Sequence, residues 1–371
     1  MMTFFCGSIY AQNYSVDMAN AKESLEFYNY LGNTENIHPK VLYFPDQWNG
    51  YEFWMAYTPY PLGDINAENP CIAVSHDGLN WYSPSANMNP LDPVPEGGYN
   101  SDTHLVYDEK NDALEIIWRP FDNARQQDSV ARRISKDGVT WTDKETLIDY
   151  GALGELVLSP ALWIEGDEYK MVYSNITRLK YTTANRNEWP LQWSEPIELP
   201  IEWGSLSAWH QDVMINEDGD WELVVCAWTP GNGNNSADLY YVKVYPEEWE
   251  ATLPILILHR GEGINDIDHR SIYRASLVKV EDEYRLYYSS IDDGWSRHMA
   301  LSRGESPLEL YGAGNQGIVT GVTEESTYID FTLPFKIYDI NGRKIKFDSL
   351  NSLPSGIYIL QQNDKLLKFE K

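Results

Sequence analysis

The chain has 371 residues, 28 of them basic and 56 acidic, for a net charge of −28. That balance argues against nucleic acid and anionic membranes as partners, since both are bound through basic side chains. A hydrophobic content of 43% and an aromatic content of 13% exclude a disordered chain and supply a core for two ordinary domains or one large repeat-built one.

Residues 1–12 read as the back half of a signal peptide, with small Ser8 before a cut after Ala11. No later run approaches the roughly 20 apolar residues of a membrane span, so an exported protein, secreted or at the outer cell surface, is expected. Cys6, Cys71 and Cys226 are too few for a disulfide framework, and Cys71 and Cys226 sit in strand-like runs as buried thiols.

Five stretches then share one shape: His38-Pro39-Lys40-Val41-Leu42, Asp102-Thr103-His104-Leu105, Ser159-Pro160-Ala161-Leu162, His210-Gln211-Asp212-Val213 and Arg274-Ala275-Ser276-Leu277. Each opens on a polar or small residue, repeats one two positions on, and turns apolar. In a strand, positions i and i+2 share a face, so each copy is expected to present two side chains to one place. A turn and an aromatic-rich second strand follow every copy, as in Trp48-Asn49-Gly50 before Tyr51-Glu52-Phe53-Trp54. Ser75-His76-Asp77-Gly78-Leu79-Asn80-Trp81 and Ser135-Lys136-Asp137-Gly138-Val139-Thr140-Trp141 predict an Asp-opened turn with glycine in the left-handed position and a Trp packed beneath it. No long amphipathic helix is expected.

Openings at 38, 102, 159, 210 and 274 mark antiparallel units of 51 to 64 residues, and such units make a β-propeller. The fold class is therefore all-β: a five-bladed β-propeller over residues 22–322, followed by a small β-sandwich-like module over 328–371. The last blade lacks an obvious outer strand, which residues 24–30 or 316–322 are expected to supply.

The axis collects His38, Lys40, His104, His210 and Arg274 against Asp102 and Asp212, a cationic set in an acidic chain. Such donors favour an anionic group in the ligand. The opposite reading is that these side chains pair among themselves and plug the axis. Tyr57, Tyr60, Trp81, Trp118, Arg119, Trp209 and Tyr273 lie near strand ends, where sugars could stack or blades could pack. No cofactor is expected beyond calcium as an ion the axis could hold.

Two resemblances add to this reading. Tyr338-Asp339-Ile340-Asn341-Gly342-Arg343, Leu353-Pro354-Ser355-Gly356-Ile357-Tyr358 and the basic ending resemble the C-terminal sorting domain of the Bacteroidetes type IX secretion system, which implies that machinery as a partner. Residues 30–310 resemble the five-bladed propellers of the glycoside hydrolase 43/32/68/117 group. The resemblance implies a base Asp, a positioning Asp and an acid Glu from the first three blades. Asp102 matches the positioning Asp; His38 stands at the base position and Leu158 at the acid position, with Glu155 three residues away. The expected catalytic set is Asp102 or His38 as base and Asp212 or Glu155 as acid. Lys40, His104, Trp209, His210, Tyr273, Arg274 and Arg119 are the expected substrate contacts. The function expected is a secreted glycosidase acting on a glycan, an acidic one among the candidates. The alternatives are a non-catalytic glycan-binding or adhesion propeller and a phosphorylase.

Overall fold

Strands form wherever β-branched and aromatic residues fall between turn residues, and the first hairpin shows how. Asn49 and Gly50 both take left-handed φ (47° and 86°), so a two-residue turn pairs Trp48 with Tyr51. The computed structural model describes residues 15–231 and 236–315, and in the tail 336–339, 344–345, 353–354, 357–362 and 365–370.

The unit Val16–Gln316 carries the five blades. Blade one is β1 (Asn36–Trp48), β2 (Tyr51–Pro59) and β3 (Cys71–Ser75). Blade two is β4 (Gly98–Asp108), β5 (Ala113–Asp122), the short β6 (Gln127–Asp128), β7 (Val130–Ser135) and β8 (Glu145–Ile148). Blade three is β9 (Leu158–Glu165), β10 (Glu168–Ser174), β11 (Leu179–Asn185) and β12 (Ile197–Glu198). Blade four is β13 (Ser207–Ile215), β14 (Trp221–Trp228), β15 (Asp238–Tyr245), β16 (Glu250–Ala251) and β17 (Ile255–Leu258). Blade five is β18 (Ser271–Val280), β19 (Glu283–Ile291), β20 (Arg297–Ser306) and β21 (Glu309–Gly312). The five expected openings all fall on the first strands β1, β4, β9, β13 and β18. Helix among the described residues is limited to short 3-10 turns, and no helix among them is long and apolar enough to cross a membrane.

The core lies between blades. Five hydrophobic clusters each join one neighbouring pair, and the cluster of Val41, Phe53, Met55 and Trp81 with Val278, Tyr287 and Leu301 joins blade five back to blade one. Blade five has its own fourth strand, β21, so the expectation that residues 24–30 would supply it is corrected; residues 316–322 lie outside the described residues. The chain start instead runs beside that blade, with Lys22 N–H donating to Ala313 O (2.8 Å) and Leu25 N–H to Met299 O (2.7 Å).

The Asp-Gly turns clip blades together. The Asp77 carboxylate accepts from the Leu79 and Asn80 amides at 2.8 Å, and Trp81 Nε1 donates to Gly78 O at 3.1 Å. At Gly138 (φ +70°) a Cβ would stand 2.0 Å from Trp54 of blade one, so the turn requires glycine for conformation and for close approach.

In the second unit the described strands β22 (Lys336–Asp339), β23 (Lys344–Ile345), β24 (Ile357–Gln362) and β25 (Lys365–Glu370) make one antiparallel sheet in the order β23-β22-β24-β25. The sequence predicted a small β-sandwich-like module there; the described residues give this sheet. Residues 1–12 lie outside the described residues.

Candidate functional site

The first strands do not run regularly through the axis. Their pairing with the second strands shifts between Ile37 and Lys40, Ser101 and His104, Ala208 and His210, and Ile272 and Ala275, and β10 shows the matching shift between Val172 and Ser174. These are β-bulges, and His38, Asp102 and Ser159 sit in them with left-handed φ of 56°, 53° and 47°. A bulge breaks the two-residue alternation, so residues i and i+2 part company. The expected single cluster becomes two tiers.

The upper tier opens on a cavity of about 200 Å³ lined by His38, Glu68, Asp102, Arg119, His210 and Tyr273, among others. His38, Asp102 and His210 are buried, and one ligand-type atom from each lies within 4.8 Å of the others. Asp102 Oδ2 accepts from Arg119 Nε at 2.7 Å, leaving Oδ1 to face His38 Nε2 (3.4 Å) and His210 Nδ1 (3.5 Å). Burial alone would raise this carboxyl, but Arg119 and the two imidazoles outweigh it and hold it well below the usual range. Burial lowers both histidines, so the imidazoles are neutral near pH 7.

Their tautomers follow from the contacts. Ser159 Oγ donates to Asp102 Oδ1 (3.2 Å) and so accepts from His210 Nδ1 (2.5 Å), which leaves His210 Nε2 as a lone pair. On His38, Nδ1 accepts from the Asp102 amide (3.3 Å) and faces the Thr58 hydroxyl (3.1 Å), so the neutral ring carries its proton on Nε2, toward Asp102 Oδ1 (3.4 Å). Both Nε2 atoms are buried with no hydrogen-bond partner. The His210 lone pair, His38 Nε2 once a metal displaces its proton, and a carboxylate oxygen fit a borderline metal such as zinc better than calcium, which prefers oxygen. Ser159 and Arg119 are then the outer groups that orient the ligands.

Glu68 is the fourth polar wall, with Oε1 3.5 Å from His38 Nδ1. Burial, then the charge of Asp102, push its carboxyl well above the usual range, against the pull of Arg119 and Arg297. It stands on the loop 60–70, which is pinned by Asn69 Nδ2 donating to Tyr30 Oη (3.0 Å) and by Asn100 Nδ2 donating to Asn69 Oδ1 (2.9 Å). Sequence reasoning missed Glu68 because it belongs to no repeat. The signal was the length of that link between second and third strands, residues 60–70, beside 175–178 in blade three and 292–296 in blade five. The aromatic walls are Tyr60, Tyr99, Trp209 and Tyr273, with Tyr273 stacked on His38 (5.2 Å between ring centres) and tilted on His210 (4.5 Å).

The lower tier plugs the axis. Lys40 Nζ donates to both Asp212 oxygens (2.7 and 3.0 Å) and to Val213 O (3.2 Å). His104 Nε2 donates to Leu162 O (2.9 Å) while its Nδ1 accepts from Arg274 Nη2 (3.2 Å), a neutral ring held between backbone and guanidinium. Lys40, His104, Asp212 and Arg274 do not line the cavity; in blade five Tyr273 reaches it instead of Arg274. Glu155 does not line it either, and accepts from Tyr173 Oη (2.7 Å) and Asn175 Nδ2 (2.8 Å). The structure therefore brings Asp102 and His38 together and places Asp212 and Glu155 elsewhere. The cationic set expected to meet an anionic ligand group is consumed internally, by Asp102, by Asp212 and by burial. Of the expected stacking residues, Tyr57, Trp81 and Trp118 are buried inside the blades.

No family model matches the chain. Over 108 residues it is 37% identical to an A type blood N-acetyl-α-D-galactosamine deacetylase of Flavonifractor plautii, a stretch that takes in 28% of this chain and 14% of that relative's length. A crystal structure of an N-acetylgalactosamine deacetylase from F. plautii, in complex with blood group B trisaccharide, superposes with a TM-score of 0.63 at 20% identity, covering 77% of this chain and 94% of that one. A thermostable family-43 glycoside hydrolase superposes with a TM-score of 0.54 at 14% identity, covering 75% and 92%. The fold is thus a five-bladed, glycoside hydrolase-like propeller.

Proposed function

We propose that the protein is a carbohydrate-active hydrolase that removes the acyl group from an N-acylated sugar, with a divalent metal held by His38, Asp102 and His210. The observation that carries this reading is the buried cluster of two imidazoles and one carboxylate, with both Nε2 atoms unpartnered, at the end of a cavity. A bound ion there would supply a Lewis acid for an amide carbonyl and its attacking water. Ser159 and Arg119 hold the donors in orientation. Glu68 is the group placed to exchange protons: the water adds to the carbonyl carbon, the C–N bond breaks, and a proton passes to the departing nitrogen, giving a free amino sugar and a carboxylate. A cavity of about 200 Å³ is below the roughly 300–1,000 Å³ of sites for drug-sized ligands, so it suits one terminal sugar unit. The partial likeness to the F. plautii deacetylase supports the same chemistry. Export to the cell surface through the type IX machinery belongs to this reading and rests on the tail motifs.

A second reading, glycosidic cleavage, is favoured by one observation: Glu68 and Asp102 are shifted in opposite directions, as an acid and its partner would be. Zinc-loaded protein incubated with N-acetyl-α-galactosaminides and with arabino-, xylo- and galacto-oligosaccharides separates the two. Acetate without new reducing ends, abolished by chelation, is expected. Reducing ends without acetate would replace deacylation with cleavage, and glycan binding without either product would leave a binding propeller.

A further inference from the structure

The hairpin between β19 and β20 holds a residue that its turn does not favour. Trp295 adopts φ +67° in the tight turn that Asp292 closes, where Asp292 N–H donates to Ser296 O (3.1 Å) and Trp295 N–H to Asp292 O (3.2 Å). A left-handed φ is natural for glycine or asparagine and strained for a bulky side chain, and such strain gathers at functional positions. The residue is also 43% exposed, although the Arg270 guanidinium lies 4.0 Å from the ring centre and covers one face. The opposite face is what meets solvent.

This hairpin is tied to the cavity wall. Glu35 Oε2 accepts from Arg297 N–H (3.1 Å) and from Leu62 N–H (3.0 Å), joining the hairpin to the loop that carries Glu68. Arg297 donates to Trp295 O and lies 5.0 Å from the centre of the Tyr60 ring, which lines the cavity. Gly63 (φ +84°) allows that approach, since a Cβ there would stand 2.9 Å from Arg297 Nη2. The buried Arg297 side chain thus links the Trp295 backbone to Tyr60 and the cavity wall.

We propose that the free face of Trp295 is a second sugar subsite, which stacks the residue next to the one held in the cavity. The ligand class is a neutral oligosaccharide, whose C–H face packs on the face of the ring that Arg270 leaves uncovered. The cavity takes one unit, and a rigid, exposed aromatic beside its mouth takes the next at little cost in side-chain entropy. The inference rests on the proposed glycan substrate, and it adds a requirement for at least a disaccharide.

The test compares methyl N-acetyl-α-D-galactosaminide with a trisaccharide ending in N-acetyl-α-D-galactosamine, using wild type, Trp295→Phe and Trp295→Ala. Acetate release should show KM for the trisaccharide raised about tenfold in Trp295→Ala, restored in Trp295→Phe, and KM for the methyl glycoside unchanged. An unchanged trisaccharide KM, or equal rises for both substrates, overturns the subsite while leaving deacylation in place. If wild type releases no acetate, calorimetric titration of the same trisaccharide decides the subsite alone. Weaker binding by Trp295→Ala supports it; equal binding, or no binding by wild type, overturns it.

Discussion

The two ends of the propeller axis are built by the same five strands and share almost no chemistry. The upper end is the cavity of about 200 Å³ with its buried histidines and carboxylates. The lower end is a cup of about 860 Å³ lined by Leu42, Phe44, Tyr107, Trp163, Met214 and Tyr284, with Glu109, Glu165, Glu217 and Glu281 among its acidic residues. The difference begins at the bulges. Below them the first strands pair regularly with the second, apart from a further shift in β1 between Tyr43 and Trp48, and their side chains pack. At them the backbone of blades one, two and three turns left-handed, and polar residues from several blades converge where regular strands would splay them apart. Between the two ends, Lys40 and Asp212 close the axis.

The comparison breaks most visibly if the two buried acids behave alike. Asp102→Asn should lose metal binding and drop acetate release by about a thousandfold, some 4 kcal/mol in barrier, whereas a lower-tier change should act on stability. Lys40→Met should cost about 3–5 kcal/mol in urea unfolding by leaving Asp212 buried without its cation, and Lys40→Met with Asp212→Leu should recover most of it. A Lys40→Met protein of wild-type stability would show that the plug is no plug. Gly138→Ala comes next, because it imposes both a left-handed φ on alanine and a clash with Trp54. It should cost about 2–4 kcal/mol, against about 1 for Gly154→Ala, where φ is +71° and the space is open.

The smallest effect concerns Glu222 in the lower cup. Burial raises its carboxyl, partly offset by Asn216 and Lys243, and Oε2 has no partner. A folded-state value above the unfolded one stabilises at pH below the unfolded value near 4.5, and that stability is lost as pH rises through the folded value. Thermal melts of Glu222→Gln should therefore lie slightly above wild type at pH 7 and converge with it toward pH 4. Parallel melts across that range would place Glu222 in water.

How much of this was legible in the sequence follows from the range of each signal. Hairpins such as Asn49-Gly50 and the Asp-Gly turns are local, and the repeats announce themselves at fixed offsets, so the five blades and the strand carrying each axial residue could be read directly. His38, Asp102, His210, Arg119, Trp209 and Tyr273 were all identified as axial or strand-end residues. Their sorting into tiers was not readable, because a one-residue bulge leaves no mark in the hydrophobic pattern yet decides whether Arg274 or Tyr273 reaches the cavity. Glu68 arrives from a connecting loop, where no periodicity constrains position.

By itself, then, the sequence determined an acidic, all-β, five-fold repeat with histidine and aspartate at the axis. Only the tertiary structure decided which of those charges are spent on one another. Pairing depends on side-chain distances of a few ångströms between strands 51 or more residues apart, as Ser159 and His210 show across 51 positions and Lys40 and Asp212 across 172. Closing the ring sets those distances, and it leaves two imidazole nitrogens facing a cavity without a partner.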